Sequence, residues 1–336
     1  MHPGGHAVSH FGATILDAGG MRLSAEEKAF FREADPFGFI LFGRNIESPA
    51  QVRALCDEMR ETVGREAVIT IDQEGGRVQR LRPPDWTDWV PPLEEVRRAG
   101  AQAPEAMRLR YRIMAAELRA LGIDSNCAPL VDVIAPDTHE FLTDRCYGDS
   151  PEEVARIGRA VANGLLEGGV LPVMKHIPGH GRATSDSHLD LPFVTAPLEA
   201  LKARDFAPFA ALADLPMAMT AHVVYEGCDD RPATVSARMV GLIREVIGFD
   251  GLLMTDDISM KALDGSLPEI ARGSLDAGCD VVLLCNAALE DRRAVADAAG
   301  RMTPAAQARA ETALKARITP GEVDISALTA KLGQLK

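Results

Sequence analysis

The residues able to do chemistry gather in a few short runs. Asp72-Gln73-Glu74-Gly75-Gly76-Arg77 closes one apolar run, with Arg80 just beyond it. Lys175-His176 closes another and leads into Pro178-Gly179-His180-Gly181, then Asp186-Ser187-His188. Asp132 ends a third, and Asp144-Arg145 follows in its loop; His222 and the pair Asp256-Asp257 end two more. Carboxylates and guanidiniums that converge on a polar cavity suit a hydroxyl-rich ligand, because their paired contacts fix a sugar ring in one orientation. Glycoside cleavage needs one group to attack or stabilise an oxocarbenium-like carbon and an acid to protonate the leaving oxygen. A carboxylate on one strand and a proton donor on a neighbouring loop supply both. In an Asp-x-His pair the carboxylate can accept from one ring nitrogen and fix the tautomer. An imidazole with an ordinary pKa of about 6.5 can then give and take a proton near neutrality.

Something must bring these runs together. Short β-rich apolar runs occur at 13–17, 37–43, 67–72, 126–133, 172–177, 216–224, 251–257 and 280–286, with helix-patterned stretches between them. Ser24 with Glu27, Ser48 with Gln51 and Ser150 with Glu153 have the spacing of capping boxes, the last two with proline at the first helical position. Eight such units predict a single (β/α)8 TIM-type barrel, whose chemistry sits where strands end and βα loops begin. Near-continuous apolar strands fit a parallel sheet covered on both faces. A doubly wound sheet would need a glycine-rich phosphate turn after its first strand, and Asp17-Ala18-Gly19-Gly20 lacks that spacing. The expected organisation is one catalytic domain over 1–336, with the barrel at about 11–300 and a short helical C-terminal extension at about 301–336, opened by Thr303-Pro304.

Composition narrows the partners. A net charge of −13 argues against nucleic acid, which is gripped by clustered Lys and Arg. No apolar stretch approaches the roughly 18–20 residues that cross a bilayer. The start has no basic region followed by a long apolar one, so no secretory signal is expected. The six cysteines form no C-x-x-C pair and read as reduced, buried thiols. These features predict a cytoplasmic enzyme without nucleic-acid or membrane partners, and they leave the oligomeric state open.

The segment KHIPGHGRATSDSHLDLP (175–192) resembles the signature of glycoside hydrolase family 3, in its single-domain bacterial β-N-acetylhexosaminidase branch. IDQEGGRVQRL (71–81), DRCYG (144–148), AHVVY (221–225) and FDGLLMTDDISMKAL (249–263) resemble it in the same order, from about residue 13 to 286. The resemblance implies a retaining exo-β-N-acetylglucosaminidase without cofactor or metal. Its substrate would be a small amino-sugar disaccharide or muropeptide such as GlcNAc-1,6-anhydro-MurNAc, in peptidoglycan recycling. It implies Asp256 as nucleophile, His188 as acid/base held by Asp186, and Asp72, Arg80, Arg145, Lys175 and His176 as the grip on the terminal sugar. Two other classes stand beside it. One is a metal-dependent barrel hydrolase with His176, His180, His188 and Asp186 around zinc; the other is a non-catalytic amino-sugar sensor.

Several residues carry plainer alternatives. Asp257 is expected on the opposite face from Asp256, capping the next helix. His180 reads equally as a loop brace or a functional group, and His222 as a hydrogen-bonding brace within the site. Cys146 reads as a spectator, and His2, His6 and His10 as part of a frayed terminus. Gly179 and Gly181 mark the 178–190 loop as a mover that would deliver His188 over bound sugar.

Overall fold

The computed structural model describes residues 10–185 and 190–335. Its parallel strands are β1 (Gly12–Asp17), β2 (Pro36–Leu41), β3 (Val68–Ile71), β4 (Ser125–Asn126), β5 (Leu171–Ile177), β6 (Met217–Thr220), β7 (Leu252–Met254) and β8 (Val282–Leu284). Ladders join β8 to β1, β1 to β2, β2 to β3, β4 to β5, β5 to β6 and β6 to β7. Two seams close the ring. Asp124 and Cys127 donate backbone N–H to the Ile69 and Ile71 carbonyls between β3 and β4, and a Met254–Val281 bridge joins β7 to β8. The result is the α/β barrel expected from the run count.

Both faces of each strand are buried, which is why the strands read as unbroken apolar runs. Ile15, Ile40, Met217, Met219, Leu252 and Met254 belong to the core inside the ring, while their neighbours Leu16, Phe39, Ala218 and Leu253 pack outward against the helices. The extension begins where Thr303 caps the helix Pro304–Lys315 by accepting from the Ala306 N–H. That helix lays Ala306, Ala310 and Ala313 with Met302 against the inner core. Arg309 pairs with Asp280, and Arg317 with Asp124, beneath the strands. His10 is tied down rather than frayed, its ring hydrogen-bonding the Met302 carbonyl at 2.8 Å; His2 and His6 lie outside the described residues.

Of the three expected capping boxes, the reciprocal pair of bonds forms at Ser24 and Glu27. At Ser48 and Ser150 the serine caps its helix, but the Gln51 and Glu153 side chains turn to Glu47 and Arg156 instead. All six cysteines are free and buried. Among the described residues no helix is long and apolar enough to cross a membrane.

Candidate active site

The carboxyl ends of the strands open into a cavity of about 470 Å³ whose wall includes Asp72, Arg80, Arg145, Lys175, His176 and Asp256. Six of the eight residues expected at the site therefore share one space. The other two, Asp186 and His188, lie outside the described residues.

At the floor, Lys175 is only 2% exposed and lies between two carboxylates, 3.0 Å from Asp72 Oδ1 and 2.7 Å from Glu74 Oε1. Arg145 grips Glu74 with two parallel bonds of 2.9 Å, and Arg80 Nη2 lies 2.9 Å from Asp72 Oδ2. Burial pushes both carboxyls up, but the cations outweigh it. Asp72 is held well below the usual carboxylate range, and Glu74 sits at about 2. The same carboxylates keep Lys175 firmly protonated. This alternation of fixed charges presents donors and acceptors side by side, as recognition of vicinal hydroxyls requires.

Glu74 reaches this position through a short hairpin, Gln73–Gly75 paired with Val78–Gln79. Asn126 in β4 fixes its base by accepting from the Gln73 N–H and donating to the Gln73 carbonyl. Gly75 is required there. A Cβ at that position would stand 2.0 Å from the Arg110 guanidinium, which donates to the Glu74 and Val90 carbonyls.

Asp256 follows β7. Burial opposes its ionisation, but His176, His222, the Asp257 N–H and Lys175 outweigh burial, so its carboxyl lies below the ordinary value. It is a carboxylate facing the cavity. Asp257 also touches the cavity wall, contrary to the simple alternation of faces. Its oxygens accept from the Ser259 N–H at 3.0 Å, the Ser259 hydroxyl at 2.8 Å and the Cys285 N–H at 3.1 Å. It therefore braces a tight turn instead of capping the next helix, whose N-terminus is capped by Ser266 and Glu269. His222 is a brace, as expected: Nε2 donates to the Asp257 carbonyl at 3.0 Å, and Nδ1 lies 2.7 Å from the Thr234 hydroxyl oxygen.

His180 lines the cavity with its ring edge-on to both His176 and Phe141. Its backbone braces the loop, while neither ring nitrogen has a hydrogen-bond partner among the described residues. Burial and the neighbouring His176 push its pKa down to about 4, so the ring is neutral at neutral pH. Cys146 is buried with its thiol on the Leu142 carbonyl, and burial pushes its pKa well up, so it is a spectator.

The glycines of the 178–181 turn are required for close approach, while residues 186–189 of the loop expected to move lie outside the described residues. A Cβ on Gly181 would stand 2.0 Å from the Val133 carbonyl oxygen, and one on Gly179 would stand 3.0 Å from that of Asp205. Tyr225 and Thr138 hydroxyls clamp the Gly179 and Gly181 carbonyls. Gly181→Ala is therefore expected to cost about 1–3 kcal/mol of stability, as overpacking does. Urea unfolding beside the wild type checks this; an unchanged midpoint would contradict the close seating.

Glu74 and Asp132 stand in the polar runs picked out in the sequence, but neither was expected among the catalytic or sugar-binding residues. The i, i+2 spacing of Asp72 and Glu74 was the available signal for the first. For Asp132, the signal was its place at a strand end. Among the described residues no group of three or more His, Cys, Asp or Glu side chains is arranged to hold a metal ion.

A parallel barrel with ionised carboxylates, guanidiniums and imidazoles at the carboxyl ends of its strands has the makings of a glycoside hydrolase. Residues 13–317 match the glycosyl hydrolase family 3 N-terminal domain. A beta-hexosaminidase of Alkalilimnicola ehrlichii is 40% identical over 283 residues, covering 82% of this chain and 81% of that one. One from Methylococcus capsulatus is 40% identical over 277 residues, covering 81% and 82%. The crystal structure of NagZ from Neisseria gonorrhoeae superposes with a TM-score of 0.84 at 31% identity, over 97% of this chain and 98% of that one. The chain belongs to glycoside hydrolase family 3, and its relatives there mark it as a hydrolase of the β-hexosaminidase type.

Proposed function

We propose that the protein removes terminal, non-reducing β-linked N-acetylglucosamine with retention of configuration. Asp256 attacks the anomeric carbon to form a glycosyl-enzyme while His188, oriented by Asp186, protonates the leaving oxygen. The same imidazole then takes a proton from the water that releases the sugar. Asp72, Arg80, Lys175 and His176 hold the sugar hydroxyls, with Arg145 steadying the floor through Glu74. The observation that carries this reading is the ionised Asp256 on a cavity wall shared with the Asp72–Lys175–Arg80 set. The structure of the same Neisseria protein with N-trifluoroacetyl-D-glucosamine, at a TM-score of 0.80 and 29% identity, supports a small amino-sugar ligand. Muropeptide fragments of the GlcNAc-anhydro-MurNAc type are the proposed natural substrate, on the strength of the family resemblance.

Release of aryl alcohol from an aryl β-N-acetylglucosaminide in excess EDTA, followed by NMR, tests the reading. Undiminished turnover with the β-anomer appearing first is expected. The α-anomer first would overturn double displacement, and loss of activity in EDTA would favour a metal-dependent hydrolase.

A further inference from the structure

Asp132 is fully buried, 0% exposed, in the stretch that follows β4, just beyond the Leu130–Lys175 bridge and behind the cavity wall. Its carboxylate is the meeting point of one short stretch of chain. Oδ2 lies 2.8 Å from His176 Nδ1, both oxygens lie 3.3–3.4 Å from the His176 N–H, and Oδ1 accepts from the His180 N–H at 2.6 Å. Burial alone would push this carboxyl up, but His176 and the His180 contacts outweigh burial and hold it ionised. An ionised carboxylate can only accept hydrogen bonds. The proton on this side of the His176 ring is therefore on Nδ1. Nε2 is left as the nitrogen available to a ligand, and His176 lines the cavity.

We propose that Asp132 is a positioning residue for hydrolysis. It fixes the Nδ1–H tautomer of His176, so that Nε2 accepts a hydrogen bond from a sugar hydroxyl. With its other oxygen it ties the His180 backbone, the entry to the loop that leads on to Asp186 and His188. One carboxylate thus sets the donor–acceptor sense of a sugar-binding ring and holds the His180 backbone beside it. The proposal rests on the reading of His176 as a sugar ligand, but the tautomer it predicts does not depend on turnover.

Asp132→Asn is the informative change. An asparagine has one accepting oxygen for the two nitrogen donors that now face separate carboxylate oxygens. If that oxygen stays on the His180 N–H, the amide NH2 faces His176 Nδ1, which must then accept, and the ring proton moves to Nε2. The hydroxyl acceptor in the cavity is lost.

Nitrogen-15 NMR of the imidazoles, with His176 assigned by its loss in His176→Gln, reads this directly. The wild type is expected to show a protonated Nδ1 and an unprotonated Nε2, and Asp132→Asn the reverse. In the aryl-glucosaminide assay Asp132→Asn is expected to lower kcat/KM by about 100-fold, the scale of a misoriented contact. In a His176→Gln background the same change is expected to cost less than about 5-fold, because it acts through the ring. A protonated Nε2 in the wild type, which needs no variant to fold, would overturn the proposal. So would fully multiplicative losses in the double variant. Lack of glucosaminidase activity in the wild type, with the expected tautomer present, would instead refute the function proposed above and leave the Asp132 pairing standing.

Discussion

Asp256→Ala is expected to lower hydrolysis of an aryl β-N-acetylglucosaminide on the order of 10⁴-fold, about 5 kcal/mol of barrier. The expectation depends on there being no carboxylate to take its place. Asp257, the adjacent residue, spends its oxygens on Ser259 and Cys285, and burial raises its pKa. Asp72 is bound to Lys175 and Arg80, and Glu74 to Arg145 and Lys175. Asp132 is behind His176. The described hydrogen bond to the Asp256 carboxylate is a local one, from the Asp257 N–H at 2.8 Å. Removing a buried carboxylate with so little structural attachment is expected to change stability by about 1 kcal/mol or less. Activity and urea unfolding measured on the same preparation separate the two effects. Turnover within about tenfold of wild type by a folded Asp256→Ala protein would mean that another group forms the glycosyl-enzyme.

The framework of this site was legible in the sequence for one physical reason. Strands buried on both faces are apolar without interruption, so a charged residue in the last turn of such a run marks the open end of the barrel. Asp72, Lys175, His176 and Asp256 were found in that way. The fourth strand shows the limit. The run 126–133 reads as one strand, but the ladder covers Ser125–Asn126, because Pro129 has no N–H to donate. β5 still bonds the stretch beyond, its Val173 and Lys175 N–H groups donating to the Ala128 and Pro129 carbonyls, as far as a bridge at Leu130 opposite Lys175.

Which carboxylate faces the ligand and which faces a cation was not legible. Lys175 meets Asp72 across 103 positions, and Arg145 meets Glu74 across 71. Those meetings decide that Glu74 serves the cations and that Asp72 keeps an edge on the cavity. Asp257 illustrates the same gap, since its turn depends on the Cys285 N–H from the next strand. The glycines of the 178–181 turn were ambiguous in the sequence, because a small residue signals either freedom or closeness. Only the position of the Val133 carbonyl distinguishes the two.

Glu74→Gln is expected to destabilise the fold by about 3–5 kcal/mol, the usual cost of removing one partner from a buried ion network. Glu74 is 1% exposed and is the shared anion of Arg145 and Lys175, so its loss leaves two buried cations with Asp72 alone. An amide could still accept one bond, but its NH2 group would point at a guanidinium or an ammonium. The effect has a pH signature whose sign is fixed. The Glu74 carboxyl sits at about 2 in the folded protein, because Arg145 and Lys175 overcome the burial that would raise it. In the unfolded chain it titrates near 4.3 (approximately). A depressed folded-state value means that the contribution is complete above the unfolded value and is lost as pH falls through the folded one. Wild-type stability in urea should therefore decline between about pH 4.5 and 2, and Glu74→Gln should be less stable at pH 7 with a shallower decline over that window. Equal stability at pH 7, or parallel curves in acid, would show that the Arg145–Glu74–Lys175 cluster is not coupled to folding. Because Arg145 and Lys175 both line the cavity, the same variant should also raise KM for the aryl glucosaminide, since the ion network that holds the floor together also sets where these cavity-lining cations stand.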